Sequence, residues 1–152
     1  MIYLLDTNTL IYAVRGLKIS LPANERQEAR LDAARRIVAR CRQQQGAGDQ
    51  IGVSAITVAE LEYGAQRSGD YAKEAAAVRK VLLPFVAFDF DATACALHYG
   101  QVRRVLEAAG ATIGAMDLLI AGHAKALGAT LVTDDLAHFS RVPDLRCETW
   151  TA

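Results

Sequence analysis

Short apolar runs alternate along this chain with longer stretches in which apolar residues return every three or four positions. Ile2 to Leu5 has the length of a buried strand and is too short for a helix. Asp6-Thr7-Asn8 supplies helix-starting side chains, and the apolar positions Leu10, Ile11 and Val14 predict a helix that stops at Gly16. Leu17 to Asn24, with Pro22, reads as a loop. From Glu25 to Gln45, Leu31, Ala34, Val38 and Cys41 fall on one helical face, and Gly46-Ala47-Gly48-Asp49 ends the run. Ile51-Gly52-Val53 predicts a second strand, with Ser54 capping a helix to about Arg67. A further helix runs up to Leu83 and stops at Pro84, because proline has no amide proton to continue it. Val86 to Phe90 is a third strand, Asp91 starts a helix to Gly110, and Met116 to Leu127 is another, closed by Gly128. Thr130 to Thr133 is a fourth strand, Asp134-Asp135 begins a short turn or helix, and a last strand lies near Arg146 to Thr149.

Strands that alternate with helices predict an α/β domain around a mainly parallel sheet. In such sheets ligands bind beyond the carboxyl ends of the strands, where the next helices begin. Asp6 follows the first strand at that edge, and Asp134 and Asp135 follow the fourth. Glu60 and Asp117 are placed to reach it from neighbouring helices. Several carboxylates meeting at one point repel one another and call for a counter-charge. A hard divalent cation such as Mg²⁺ or Mn²⁺, which takes oxygen ligands and retains waters, meets that need. Water activated by metal is then the simplest route to phosphodiester hydrolysis, since no Ser/His/Asp arrangement is visible. Each acid also has a local reading: Asp6 or Thr7 can cap the first helix, and Asp117 its own. Asp134 and Asp135 can be turn residues, and Glu60 stands at capping-box spacing from Thr57.

Four ordered blocks carry a family resemblance. Leu4-Leu5-Asp6-Thr7-Asn8, Ser54 to Gly64 around Glu60, Gly114 to Ala124 around Asp117, and Leu131-Val132-Thr133-Asp134-Asp135 resemble the motifs of PIN-domain ribonucleases. Among these the chain is most similar to VapC toxins of bacterial toxin–antitoxin pairs. The resemblance implies a three-layer α/β/α PIN-like fold, over residues 1–152 as a single domain by length, and this chain adds an extended helical segment at about 17–50. It implies a Mg²⁺- or Mn²⁺-dependent endoribonuclease whose ion is held by Asp6, Glu60, Asp117 and Asp135. Thr7, Asn8 and Thr133 would orient those ligands, with Asp134 beside them. The partners it implies are an RNA substrate, a VapB-type antitoxin covering the acidic cleft, and a second copy in a homodimer. Asp6 and Glu60 stand farther apart than the family pattern needs, which looks like an enlarged helical excursion before the second strand.

Composition adjusts this picture only slightly. The 17 basic and 17 acidic residues cancel, so no basic excess announces a nucleic-acid partner. Withdrawing several acids into one site leaves the remaining surface basic on balance. The apolar stretches are too short to span a bilayer, and the N-terminus does not have the form of a signal peptide. Three cysteines without CxxC spacing argue against a disulfide framework or zinc site, so a reduced cytoplasmic setting is the default.

Other residues have mainly structural readings. Glu62 stands about 200° around the helix from Glu60 and reads as surface. His123 reads as a packed helix residue, and His98 and His138 show no catalytic partner. The arginines of the Glu25–Gln45 segment read as a solvated face, while Leu10, Tyr12 and Tyr63 are candidates for a partner groove or for core. Two other classes compete with the nuclease reading. An aspartyl phosphatase would want a second aspartate two positions after Asp6, where Asn8 stands. A binding module that holds a metal only to order its cleft, or a PIN nuclease without an antitoxin, also fits.

Overall fold

The computed structural model describes residues 1–152. Its first strand, β1 (Ile2–Leu5), turns alternate side chains to opposite faces: Tyr3 and Leu5 to one core, Leu4 to the other. β2 (Gln50–Ser54), β3 (Val86–Phe88), β4 (Thr130–Val132) and β5 (Cys147–Glu148) complete a five-stranded sheet in the order β3-β2-β1-β4-β5. Every pairing is parallel, with Ile2 opposite Gln50 and Tyr3 opposite Thr130. Chain order therefore reverses between β1 and β4, the point where parallel sheets open a ligand crevice.

Helices cover both faces and make three layers, as the family resemblance implied, around the parallel sheet that the sequence pattern predicted. On one face lie α1 (Thr7–Leu17) and α2 (Glu25–Gly46), which bring Leu10, Ala13, Ile37 and Cys41 against Tyr3, Leu5, Ile51 and Val53. On the other lie α5 (Ala94–Ala108) and α6 (Ala115–Leu127), whose Val102, Leu106, Ile120 and Ala124 close over Leu4 and Leu131. Each fully buried large aliphatic side chain contributes roughly 1.5–3 kcal/mol relative to exposure. The helices α3 (Ala55–Arg67) and α4 (Tyr71–Leu82) pack together beside the sheet, and the short α7 (Leu136–Phe139) follows β4. No helix is long and apolar enough to cross a membrane.

Gly16 does not end α1, as the pattern suggested. It lies inside the helix, buried, where a Cβ would stand 2.6 Å from Ala34 Cβ of α2. The glycine is a point of close helix approach, and α1 ends one residue later at Leu17. Gly122 plays the same part between α6 and α5: a Cβ there would stand 2.7 Å from Tyr99 Cα. Asp91 does begin the α5 region, accepting from the backbone N–H groups of Thr93 and Ala94, although helical geometry starts only at Ala94.

Candidate metal centre

Asp6 leaves β1 and caps α1: its backbone N–H continues the sheet by donating to Val132 O, and its Oδ1 accepts from Asn8 N at 3.3 Å. Its other oxygen accepts from the Thr133 hydroxyl at 2.7 Å, across the switch point from the end of β4. Thr133 Oγ1 in turn accepts from Asp135 N at 2.9 Å. Asp135 caps α7, and its Oδ2 lies 2.7 Å from His138 Nδ1. Asp6 is thus the helix cap that its local reading allowed, and Asp135, read locally as a turn residue, caps α7 instead; in both, the capping carboxylate is also the one offered to the site. A carboxylate at a helix N-terminus also faces the positive end of the helix dipole.

Glu60 comes in from α3, where Thr7 donates its hydroxyl to Glu60 Oε1 at 2.8 Å. The Thr7 and Thr57 hydroxyls are also 2.8 Å apart, which locks the start of α1 to α3. Ser54 caps α3 through Ile56 N, so Glu60 is not a capping-box partner. Asp117 sits in the first turn of α6, behind the side-chain-free cap Gly114.

Two of the acids, Asp117 and Asp6, have raised carboxyl pKa values. Burial holds the Asp117 carboxyl above its ordinary value, and the negative charges of Asp6, Asp135 and Glu60 push the same way against the opposing His138. Burial also raises Asp6, partly offset by the bonds from Thr133 and Asn8, and then reinforced by Asp135 and Glu60. Carboxyls raised by burial and neighbouring charge in a cleft are a feature of functional sites. Asp117, Asp135 and His138 each offer a ligand atom, and these atoms lie within 4.8 Å of one another. The carboxylate oxygens suit a hard divalent cation such as Mg²⁺ or Mn²⁺, while the His138 nitrogen is engaged by Asp135.

The cleft itself, an open space of about 360 Å³, is lined by Asp6, Asn8, Thr9, Tyr12, Asp134 and Asp135. Asp134 is exposed and accepts from the Thr151 hydroxyl at 2.8 Å. The Asn8 side chain is exposed in the cleft; its contact with Asp6 is through the backbone. A separate apolar groove of about 280 Å³ runs between α1, α2 and the end of α4, lined by Leu10, Val14, Leu17, Ile37, Val81 and Phe85 among others.

The residues from Tyr3 to Leu145 match the family model of the PIN domain. The chain is 35% identical to Ribonuclease VapC2 of Rickettsia felis over 150 residues, 99% of this chain and 98% of the relative. The chain belongs to the VapC family of PIN-domain proteins. It is also 32% identical to the tRNA(fMet)-specific endonuclease VapC of Salmonella typhimurium, over 97% of each chain. A solved structure of DNA-bound VapBC from Salmonella typhimurium superposes with a TM-score of 0.79 at 31% identity, covering 99% of this chain and 98% of that one.

Within this VapC-family chain the structure gathers Asp6, Glu60, Asp117 and Asp135 at one edge of the sheet, with Thr7 and Thr133 bonded to two of them. Glu62 points away, exposed, and accepts from Tyr71 and Gln66. His123 is fully buried, its Nδ1 2.7 Å from Ser54 Oγ and its ring edge-on to Phe90, and burial lowers its pKa. Tyr12 lines the cleft rather than the apolar groove, and Tyr63 stands exposed under Arg67. Sequence reasoning passed over His138 because it found no partner for it. The signal was present as the spacing Asp135-x-x-His138, which brings the two side chains together on one turn.

Proposed function

We propose that this chain is the toxin of a toxin–antitoxin pair and that it hydrolyses RNA phosphodiester bonds with Mg²⁺ or Mn²⁺. The observation that carries the reading is the meeting of acids from separated segments: ligand atoms of Asp117 and Asp135 lie within 4.8 Å of one another, and Thr133 ties Asp135 to Asp6. Asp6, Asp117 and Asp135 would hold the cation, with Glu60 completing the set and His138 fixing Asp135. When bound, the ion lowers the pKa of water and offsets charge building on a phosphoryl group.

The chain's own residues do the rest. Thr133 and the Asn8 amide occupy one side of each Asp6 oxygen, so the remaining lone pairs face the cleft. Thr7 fixes Glu60 in the same way and leaves its second oxygen to orient the attacking water and take its proton. In the step, water oxygen bonds to phosphorus, the bridging P–O bond breaks, and the departing oxygen takes a proton from solvent.

The partner reading rests on the VapBC neighbour and on the apolar groove beside α1. An antitoxin would lay an apolar segment along Leu10, Val14 and Phe85 and bring its end over the acids. In this proposal residues 1–152 work as one domain and pair with a second copy.

Purified protein incubated with total RNA in Mg²⁺, Mn²⁺ or chelator tests the reading. Initiator transfer RNA is the substrate to try first, since the Salmonella relative is named for it. The expected result is discrete cleavage with metal, abolished by Asp6→Asn and retained by Glu62→Gln. Cleavage that persists in excess chelator overturns the metal mechanism.

A further inference from the structure

Helix α1 has two working faces. Asn8 and Tyr12, one turn apart, line the acidic cleft, while Leu10 and Val14 line the apolar groove. Two positions along a helix turn a side chain by about 200°, so Tyr12 faces the cleft and looks away from the groove.

Over the Tyr12 ring lies Arg30 of α2, its guanidinium carbon 5.0 Å from the ring centroid. Its place is set by packing. Arg30 continues the stripe of Ala34, Ile37 and Cys41, which is the buried face of α2. The two helices approach so closely here that a Cβ on Gly16 would stand 3.0 Å from the Arg30 carbonyl. An apolar side chain would suit that stripe better, yet a cation occupies it.

The cation is also unspent. Arg30 Nε is buried with no hydrogen-bond partner, and Arg30 takes part in none of the molecule's ion pairs. A half-buried guanidinium without an anion is costly, and its stacking on an aromatic ring returns only about 0.5–1 kcal/mol. By contrast, Arg40 on the same helix sits over Trp150 and also reaches Glu148 at 3.6 Å.

We propose that Arg30, carried on the Tyr12 ring, grips a backbone phosphate of the RNA strand as it leaves the carboxylate site. This rests on the nuclease reading above and deepens it. The planar fork of arginine matches phosphate oxygens in pairs, and ring stacking holds the fork while leaving its edge free. The carboxylates nearby can hold a phosphodiester only through a cation, so a fixed positive group at the rim gives the flanking phosphate a direct partner. A protein segment laid along the apolar groove contacts the Leu10 and Val14 side of α1 and comes to Arg30 only where its end passes over the acids, an outcome that the antitoxin arm of the test reads.

The test uses full-length protein carrying Asp6→Asn, so that RNA binds without being cut, and a fluorescently labelled initiator transfer RNA transcript. Anisotropy is read over a series of KCl concentrations in Mg²⁺. Adding Arg30→Gln should weaken binding about tenfold and make the log–log salt dependence shallower by about 0.7–0.9, the contribution of one phosphate contact. Arg30→Lys, which keeps the charge and loses the fork, should keep the slope and still weaken binding several-fold. Should Arg30→Gln fail to fold, Arg30→Lys decides, and unchanged affinity overturns the proposal. An unchanged slope in folded Arg30→Gln overturns it as well. So does intact RNA binding together with weaker binding of a cognate antitoxin, which would assign Arg30 to the protein partner. If the parent neither binds nor, without Asp6→Asn, cleaves RNA, the nuclease reading falls and takes this one with it. If the parent does both and Arg30→Gln matches it, only the role of Arg30 falls.

Discussion

His138 grips Asp135 twice: its backbone N–H donates to Oδ1 at 3.3 Å, and its Nδ1 lies 2.7 Å from Oδ2. The short helix α7 thereby fixes the rotamer of a carboxylate that would otherwise swing freely at the rim of the cleft. Residues that orient a metal ligand typically change metal affinity 10–100-fold when removed. His138→Ala should therefore weaken Mn²⁺ binding by roughly that factor, measured by calorimetry, while Glu62→Gln leaves it unchanged. Equal affinity in His138→Ala and the parent protein would remove His138 from the site.

Asp117 is held above its ordinary carboxyl value, so its environment disfavours the ionised form. Replacing it by the neutral isostere should stabilise the metal-free protein. In chelator at pH 7, Asp117→Asn should melt on the order of 2–4 °C higher, equivalent to about 1 kcal/mol for a chain of this size. Added Mg²⁺ should raise the parent's melting point and leave the variant's nearly still. A lower melting point for the variant in chelator would show that the site does not store repulsion.

The same shifts fix a pH dependence. Asp6 and Asp117 both have folded-state values raised from about 3.8. A carboxyl raised on folding stabilises the protein below its ordinary value, and that contribution is lost as pH rises through the folded value. Metal-free protein should thus lose this stabilisation on going from pH 4 towards neutrality. In the proposed function Mg²⁺ would bind the ionised acids, so the gap between the melting points with Mg²⁺ and with chelator should widen over the same interval. A gap that is flat with pH would contradict the coupling.

Two glycines make an internal comparison of packing. A Cβ at Gly122 would meet the Tyr99 backbone at 2.7–2.8 Å, whereas one at Gly64, inside α3, would meet nothing within 4 Å. Gly122→Ala should cost about 1–3 kcal/mol through overpacking of α6 against α5. Gly64→Ala should gain about 0.5–1 kcal/mol from helix propensity alone. Urea denaturation of the two variants checks both signs, and a neutral Gly122→Ala would mean that the helix pair can yield.

The strand order was not written in the sequence, but the apolar runs and their polar edges were. Asp6 and Asp135 were legible because they stand at the ends of such runs, where a parallel sheet opens. Glu60 and Asp117 were legible only as acids within reach of that edge, and the family motifs made them site residues, since periodicity alone does not say which helix leans over it. Gly16 misled because glycine ends a helix and permits a close helix contact with equal ease, and only the presence of Ala34 opposite decides between them. His138 was missed for a different reason. Its partner is three residues away, in the cap of its own short helix, where an acid and a histidine look like local capping rather than a site.

Neighbouring strands β1 and β2 receive the two ends of the α1–α2 hairpin, in the register Ile2 to Gln50. The chain leaves the sheet and returns to it one strand over, whatever the distance travelled between. Asp6 is meanwhile anchored to β4 through Val132 and Thr133, and Glu60 to the first residue of α1. The turn at residues 18–24 is accordingly a dial that can be lengthened or trimmed while the carboxylates stay where they are. On the proposed function, grip on RNA and on partners can drift with that hairpin, and the carboxylate edge does not have to be rebuilt each time.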